Sequence, residues 1–181
     1  YVQATWKLTD NLTNGINISV PEATGAIAFY KKSHLIIKVK SRNGYLTFMM
    51  GKILINEKGT AGRFDTLWTF YVKNTTGFSR GQDIYYDAQT DCLFIPQCNN
   101  ANNVNKIMVV NLSGESETYK GNKLYTPQDI ITVDKQKDYS KYEIESLVIA
   151  PKRHIVMVAN IVPKGTKTAD DAVERISNLK F

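Results

Sequence analysis

Three stretches of the chain alternate apolar and polar residues in the same way: Gly25–Val39, Gly81–Ile95 and Glu143–Val158. In each, a short alternating segment meets a polar turn and then a second alternating segment. Ile27 and Phe29 precede Leu35, Ile37 and Val39; Ile84 and Tyr86 precede Leu93 and Ile95; Leu147 and Ile149 precede Ile155 and Met157. Alternation with period two marks half-buried strands, and two such runs around a tight turn mark a hairpin. Taking Ile27, Ile84 and Leu147 as equivalent, the hairpin recurs at intervals of 57 and 63 residues. A strand unit repeating at that period predicts an all-β chain of β-propeller blades, each a four-stranded sheet. The six residues Ile27, Phe29, Ile84, Tyr86, Leu147 and Ile149 then fall on innermost strands. A β-sandwich is the fallback architecture.

Other segments fill in the blades. Thr13-Asn14-Gly15 separates two alternating runs and predicts a leading hairpin, and Asn43-Gly44 predicts another turn before the strand Tyr45–Met50. Lys52–Ile55 and Thr66–Val72, divided by a turn at Gly59 to Gly62, complete the first repeat. Lys106–Leu112 gives the second repeat its third strand and Pro127–Val133 a candidate fourth. Asp134–Tyr142 is charged and reads as a surface loop, and Val173–Phe181 as a closing strand. The whole, 1–181, is one propeller domain or the C-terminal part of one, with about three blades near 22–72, 80–133 and 143–181. Three blades do not close a ring, and open sheet edges are avoided. The chain begins at Tyr1 without a Met or a signal peptide. The expectation is therefore a mature fragment whose ring is completed by N-terminal blades or by a second chain.

Composition narrows the function classes. Lys and Arg exceed Asp and Glu by 23 to 17, for a net charge of +6 and a pI near 9.2. The cations, among them Lys31-Lys32, Lys38, Lys40, Lys120, Lys123 and Lys152-Arg153, are dispersed without a run of five, as on a solvated surface. Such a charge favours anionic polymers such as teichoic acid or acidic glycans. Nucleic acid is disfavoured because no recognition motif is present. No stretch of 18 apolar residues would span a membrane as a helix. No zinc, phosphate-loop, dinucleotide or nucleophile-elbow motif occurs, and no cofactor or metal is expected. His34 and His154 sit on equivalent hairpin turns, too far apart for a shared metal. Cys92 and Cys98 lie on one strand with its exit, where an extended chain separates them by about 20 Å. They read as two buried thiols, with a disulfide left open if the chain turns after Pro96. The four Asn-x-Ser/Thr triplets are a weak glycosylation signal in a chain this rich in Asn and Thr.

The candidate site lies where chain segments lead into the first strand of each repeat. In a propeller these lead-ins crowd one face of the central channel. Glu22 and Thr24, then Arg80, Gln82 and Asp83, then Glu143, Glu145 and Ser146 occupy those positions. Carboxylates converging with an arginine can bind a sugar or a cation, or do acid–base work. Equally, they can satisfy one another around a wet channel. The aromatic residues Trp68, Phe70, Tyr71, Tyr85 and Tyr86 are a possible sugar-stacking platform, though strand aromatics more often form core.

Two of these segments also carry a family likeness. Gly81-Gln-Asp-Ile-Tyr-Tyr-Asp87, and more closely Glu143-Ile-Glu-Ser-Leu-Val-Ile149 followed by His154-Ile-Val-Met-Val-Ala159, resemble the helveticin-like class III bacteriocins of lactic acid bacteria, with Glu22-Ala23 as an earlier lead-in. The resemblance covers the chain from about residue 20. It implies a secreted bacterial propeller of about twice this length, with no catalytic motif to transfer. Function is then expected to be recognition of a cell-surface glycan or anionic wall polymer, in a bacteriocin-like role, through Glu22, Arg80, Gln82, Asp83, Glu143 and Glu145. The alternative is a propeller glycoside hydrolase or lyase using paired carboxylates from Glu22, Asp83, Glu143 and Glu145, which needs two carboxyl groups about 5–10 Å apart.

Overall fold

A computed structural model describes residues 17–19, 23–42, 44–58, 61–78, 81, 83–99, 104–133, 138–150 and 154–176. All regular structure among them is β apart from a single 3₁₀ turn, Lys31–Ser33. Apart from Asn17–Ser19 the leading hairpin, with the turn at Asn43 and the candidate residues Glu22, Arg80 and Gln82, lies outside the described residues.

The chain enters as β1 (Asn17–Ser19), then runs an antiparallel meander through β2 (Ala23–Tyr30), β3 (His34–Arg42), β4 (Tyr45–Ile55) and β5 (Ala61–Lys73). β1 adds to β5 in parallel. A second meander follows in β6 (Tyr85–Asp87), β7 (Cys92–Asn99) and β8 (Val104–Asn111). The chain next returns to the first sheet as a hairpin, β9 (Glu117–Tyr119) and β10 (Asn122–Tyr125), with β10 parallel to β5. It crosses back to the second sheet as β11 (Asp129–Val133), paired with β8. The third sheet is β12 (Tyr139–Ala150), β13 (His154–Pro163) and β14 (Asp170–Ile176). The sheets thus hold seven, four and three strands, and none closes into a barrel. Their principal segments follow the three repeats read from the sequence. The 121–142 region departs from that reading: β10 joins a sheet laid down some fifty residues earlier, and Tyr139–Tyr142 opens a long strand instead of a loop.

The second sheet is the middle layer. Alternating residues of β7 and β8 point to opposite sides, as pleating requires. Leu93, Ile95, Met108 and Val110 pack on Ala26, Ile36, Phe48, Phe70 and their neighbours in the first sheet. Cys92, Phe94, Ile107 and Val109 pack on Ile144, Leu147, Ile155 and Met157 in the third. A sheet covered on both faces reads as a continuous apolar run, and Cys92–Cys98 is buried at every position. Each large side chain buried here contributes about 1.5–3 kcal/mol.

In β2 the core face is Ala26 and Ala28, whereas Ile27 is exposed and Phe29 is 85% exposed. The small alanines allow the second sheet to approach β2, and the alternation puts the larger residues outside. Gly51, which interrupts the pattern between Met50 and Lys52, does not end a strand. It sits at a register shift within β4, where an added Cβ would lie 2.2 Å from the Asp65 carbonyl oxygen. Two left-handed residues, Lys120 (φ 51°) and Gly121 (φ 75°), close the β9–β10 hairpin with the backbone of a type I′ turn.

Among the described residues β12 pairs with a strand on one side only, and side chains of Asn105 and Asp83 bond its other edge. Asn105 on β8 is fully buried; its Nδ2 donates to the Tyr142 carbonyl at 2.9 Å and its Oδ1 accepts from the Ile144 amide at 3.1 Å. The carboxamide therefore pairs with β12 as a neighbouring strand would. Asp83 Oδ2, ahead of β6, accepts from the Ser146 hydroxyl (2.9 Å) and the Leu147 amide (3.1 Å). An edge capped in this way is closed to further pairing.

Asn105→Ala leaves a buried carbonyl and a buried amide unpaired, each costing about 1–3 kcal/mol. Urea denaturation is expected to show a loss of about 2–4 kcal/mol, against less than about 0.5 kcal/mol for the rim variant Asn122→Ala.

Candidate functional site

The first and second sheets part at one end, and the gap between them is an open cleft of about 430 Å³, within the ~300–1,000 Å³ range of ligand pockets. Its floor is the inner face of the first sheet, where the pairing of Met50 with Trp68 and of Phe48 with Phe70 sets neighbouring side chains on one face. Phe70 is buried, stacked on Phe48 at 5.1 Å and met edge-on by Tyr125 at 5.8 Å. Trp68, one step further along β5, has lost its cover and is 44% exposed in the same cleft. Leu112 and Tyr30 form the opposing wall. The rim comes from the β9–β10 hairpin, which contributes Gly121, Asn122 and Lys123.

Each wall is braced from behind. Tyr30 lies 4.6 Å from the ring of Tyr86, whose hydroxyl donates to Asp91 Oδ1. Burial, and then the Asp91 carboxylate, push the Tyr86 phenol well above its ordinary pKa and keep it a donor. Tyr125 donates to the Leu112 carbonyl at 3.0 Å, joining rim to wall. The hairpin is anchored by an ion pair between Lys73 and Glu117 and by Tyr119, which packs on Tyr45 (4.6 Å) and on Tyr71 (5.0 Å). An exposed indole among buried rings, with an amide and an ammonium at the rim, can stack on an apolar ring face and hydrogen-bond its periphery.

Asp83, Glu143 and Glu145, the described candidates from the lead-ins, are not among the residues lining the cleft. Asp83 is committed to the edge of β12. Glu143 is 1% exposed; its Oε1 accepts from the Cys98 thiol (3.2 Å) and its Oε2 pairs with Lys141 Nζ at 3.3 Å. Glu145 occupies the bulge of β12 between Ile144 and Ser146 and is half-buried. Of the platform aromatics, Phe70 and Tyr86 are core, and Trp68 faces the cleft. Cys92 and Cys98 are both buried free thiols.

A polar seam that the sequence did not announce runs between the sheets near these groups. Lys38, placed by charge patterning on the surface, is 3% exposed and donates to the Gly81 carbonyl at 3.0 Å. Gly81 lies so close to β7 that an added Cβ would stand 2.2 Å from the Pro96 carbonyl oxygen. Pro96 is tolerated because β6 pairs β7 only as far as Phe94, so no strand on that side needs its missing N–H. Gln97 is 1% exposed, and its Oε1 has no hydrogen-bond partner among the described residues. Lys38 alternates in sequence with Ile37 and Val39, which the sequence analysis treated as the buried side. The pleat buries both sides of β3, and the polar residue goes to the seam.

Among the described residues no group of three or more His, Cys, Asp or Glu side chains could hold a metal ion, and no helix is long and apolar enough to cross a membrane. No family profile, curated protein or solved structure matches the chain.

Desolvation lowers the pKa of Lys38 below its ordinary 10.5. Between that lowered value and 10.5 the unfolded chain binds the proton and the folded chain does not, so this residue's contribution to stability rises with pH across the window. The cost is fully present below the folded pKa. Lys38→Met is expected to remove that rise, giving a difference curve against wild type that slopes below pH 10.5 and levels off once the pH is below the lowered folded value. Urea titrations at several pH values check it.

Proposed function

We propose that the protein is a binding module for a cell-surface glycan or wall polymer, held in the aromatic cleft through Trp68. The carrying observation is the exposed indole on an otherwise buried aromatic floor. Left bare, it is apolar surface in water; covered by the face of a sugar ring, it becomes a stacked contact. Tyr30 and Tyr125 line the same cleft, and Lys123 lies at its rim. This places the binding surface away from Asp83 and Glu143, whose described oxygens contact Ser146, Leu147, Cys98 and Lys141. Asp83 and Glu143 are not among the described residues lining this cleft, so the glycoside hydrolase or lyase alternative would act at another place.

The reading includes the architecture and the role. The three sheets are proposed as blades of a β-propeller, supported by the meander order within each and by the contacts of β2 with β6 and of β6 with β12, the first strands of the three repeats. A ring would be completed by further blades or by another chain. Secretion and a bacteriocin-like role follow from the helveticin-like segments at 81–87 and 143–159.

Trp68→Ala is expected to weaken binding to purified bacterial cell-wall polysaccharide by at least about tenfold, about 1.4 kcal/mol, with the fold intact by circular dichroism. Equal retention of wild type and variant on the polysaccharide would exclude the cleft as the site.

A further inference from the structure

The cleft carries an uneven charge that the stacking floor does not explain. Lys123 is the one charged side chain among its described lining residues, and no carboxylate lines it. Lys123 projects from β10 on the same face as Tyr125, with its Nζ 5.8 Å from that ring's centroid. No carboxylate among the described residues lies within ion-pair distance of it. The ammonium is thus held over an aromatic face, which attracts a cation without neutralising it. At the opposite wall Lys31 Nζ lies 4.8 Å from the centroid of the Tyr30 ring and 3.8 Å from Asp91. That cation is shared with a carboxylate, so Lys123 supplies the net charge of the cleft.

On the reading that the cleft is the glycan site, we infer that it selects a sugar bearing one anionic substituent, a carboxylate or a phosphodiester, placed at Lys123 while the ring covers Trp68. Lysine suits this task as a mobile point charge that meets either anion without the fixed bidentate geometry of arginine. Lys123 is exposed at the rim, so its attraction for an anion is that of a solvated charge and is screened by salt. Among the described lining residues there is no carboxylate to attract a cationic amino sugar. Discrimination against the neutral sugar then comes from Lys123, and affinity shared by both sugars comes from Trp68.

Isothermal titration with three probes separates these roles: an oligogalacturonide, the same oligomer after carboxyl reduction, and a phosphomannan oligosaccharide. The wild-type chain is expected to bind at least one of the anionic probes about tenfold or more tighter than the neutral oligomer. The anionic probe that does so tells carboxylate from phosphodiester. Lys123→Ala should abolish the preference, so that the variant binds the anionic probe no tighter than it binds the neutral oligomer, while Trp68→Ala lowers all three. Added salt, at about 0.5 M, should erode the anionic preference alone. If the neutral oligomer binds as tightly as both anionic probes, or Lys123→Ala leaves the preference intact, the charge inference falls and the glycan site stands through its Trp68 dependence. If none of the three probes binds, both fall.

Discussion

The structure depends on the double-sided burial of β7 and β8. Leu93, Ile95, Met108 and Val110 form half of one core, and Phe94, Ile107 and Val109 half of the other. Neither outer sheet has another described sheet to pack on across these cores, so the middle strands hold the assembly together. Their position is what demands the polar exceptions. A strand buried on both faces leaves no wet side for polar groups, so those of Asn105 and Gln97 must find partners in neighbouring sheets or go without. Asn105 finds them on the edge of β12, turning a buried amide into the joint between the second and third sheets.

The same constraint positions the cleft. Sheets packed face to face stay closed only as far as both supply side chains. β8 ends at Asn111, and Leu112 just beyond it lines the cleft together with Trp68 and Phe70 of β5. The β9–β10 hairpin leaves the second sheet there and lies beside β5, so the chain supplies a wall where the middle layer stops. Trp68 is exposed because it falls past the last covering residue, one strand step beyond buried Phe70. A buried ring and an accessible ring on the same face therefore follow from where one strand ends.

Much of the fold was legible in the sequence, because period-two alternation is a local signal. The hairpins at 27–39, 84–95 and 147–157 and the strand at 129–133 fall where alternation placed them, whereas the closing strand, read from 173 onward, already begins at Asp170. What escaped was non-local. The parallel pairing of β10 with β5 joins residues that share no pattern, and Lys123-Leu124-Tyr125 is too short to declare its partner. The exposed Phe29 and buried Ala28 reversed the usual size rule, since close approach of sheets selects for small residues at the contact. The candidate site followed the same division. Carboxylates ahead of the first strands were visible as a recurring feature, but Asp83 and Glu143 hold internal partners that no local pattern could reveal. Trp68 was noticed as an aromatic, yet its exposure depends on the length of β8, not on its own neighbours in sequence. A buried Lys38 likewise follows from the seam between sheets, since charge alone had placed it in solvent.

The account's central claim is that the ligand sits where the first two sheets part and not among the carboxylates near β12. Mapping amide and indole NMR shifts during titration with an acidic cell-wall oligosaccharide tests this most directly. The account predicts that the largest changes fall on the Trp68 indole N–H and on the backbone amides of Thr69, Gly121, Asn122 and Lys123, with Asp83, Glu143 and Glu145 unmoved. Saturable changes centred on Asp83, Glu143 and Glu145, with the Trp68 indole unaffected, would contradict it.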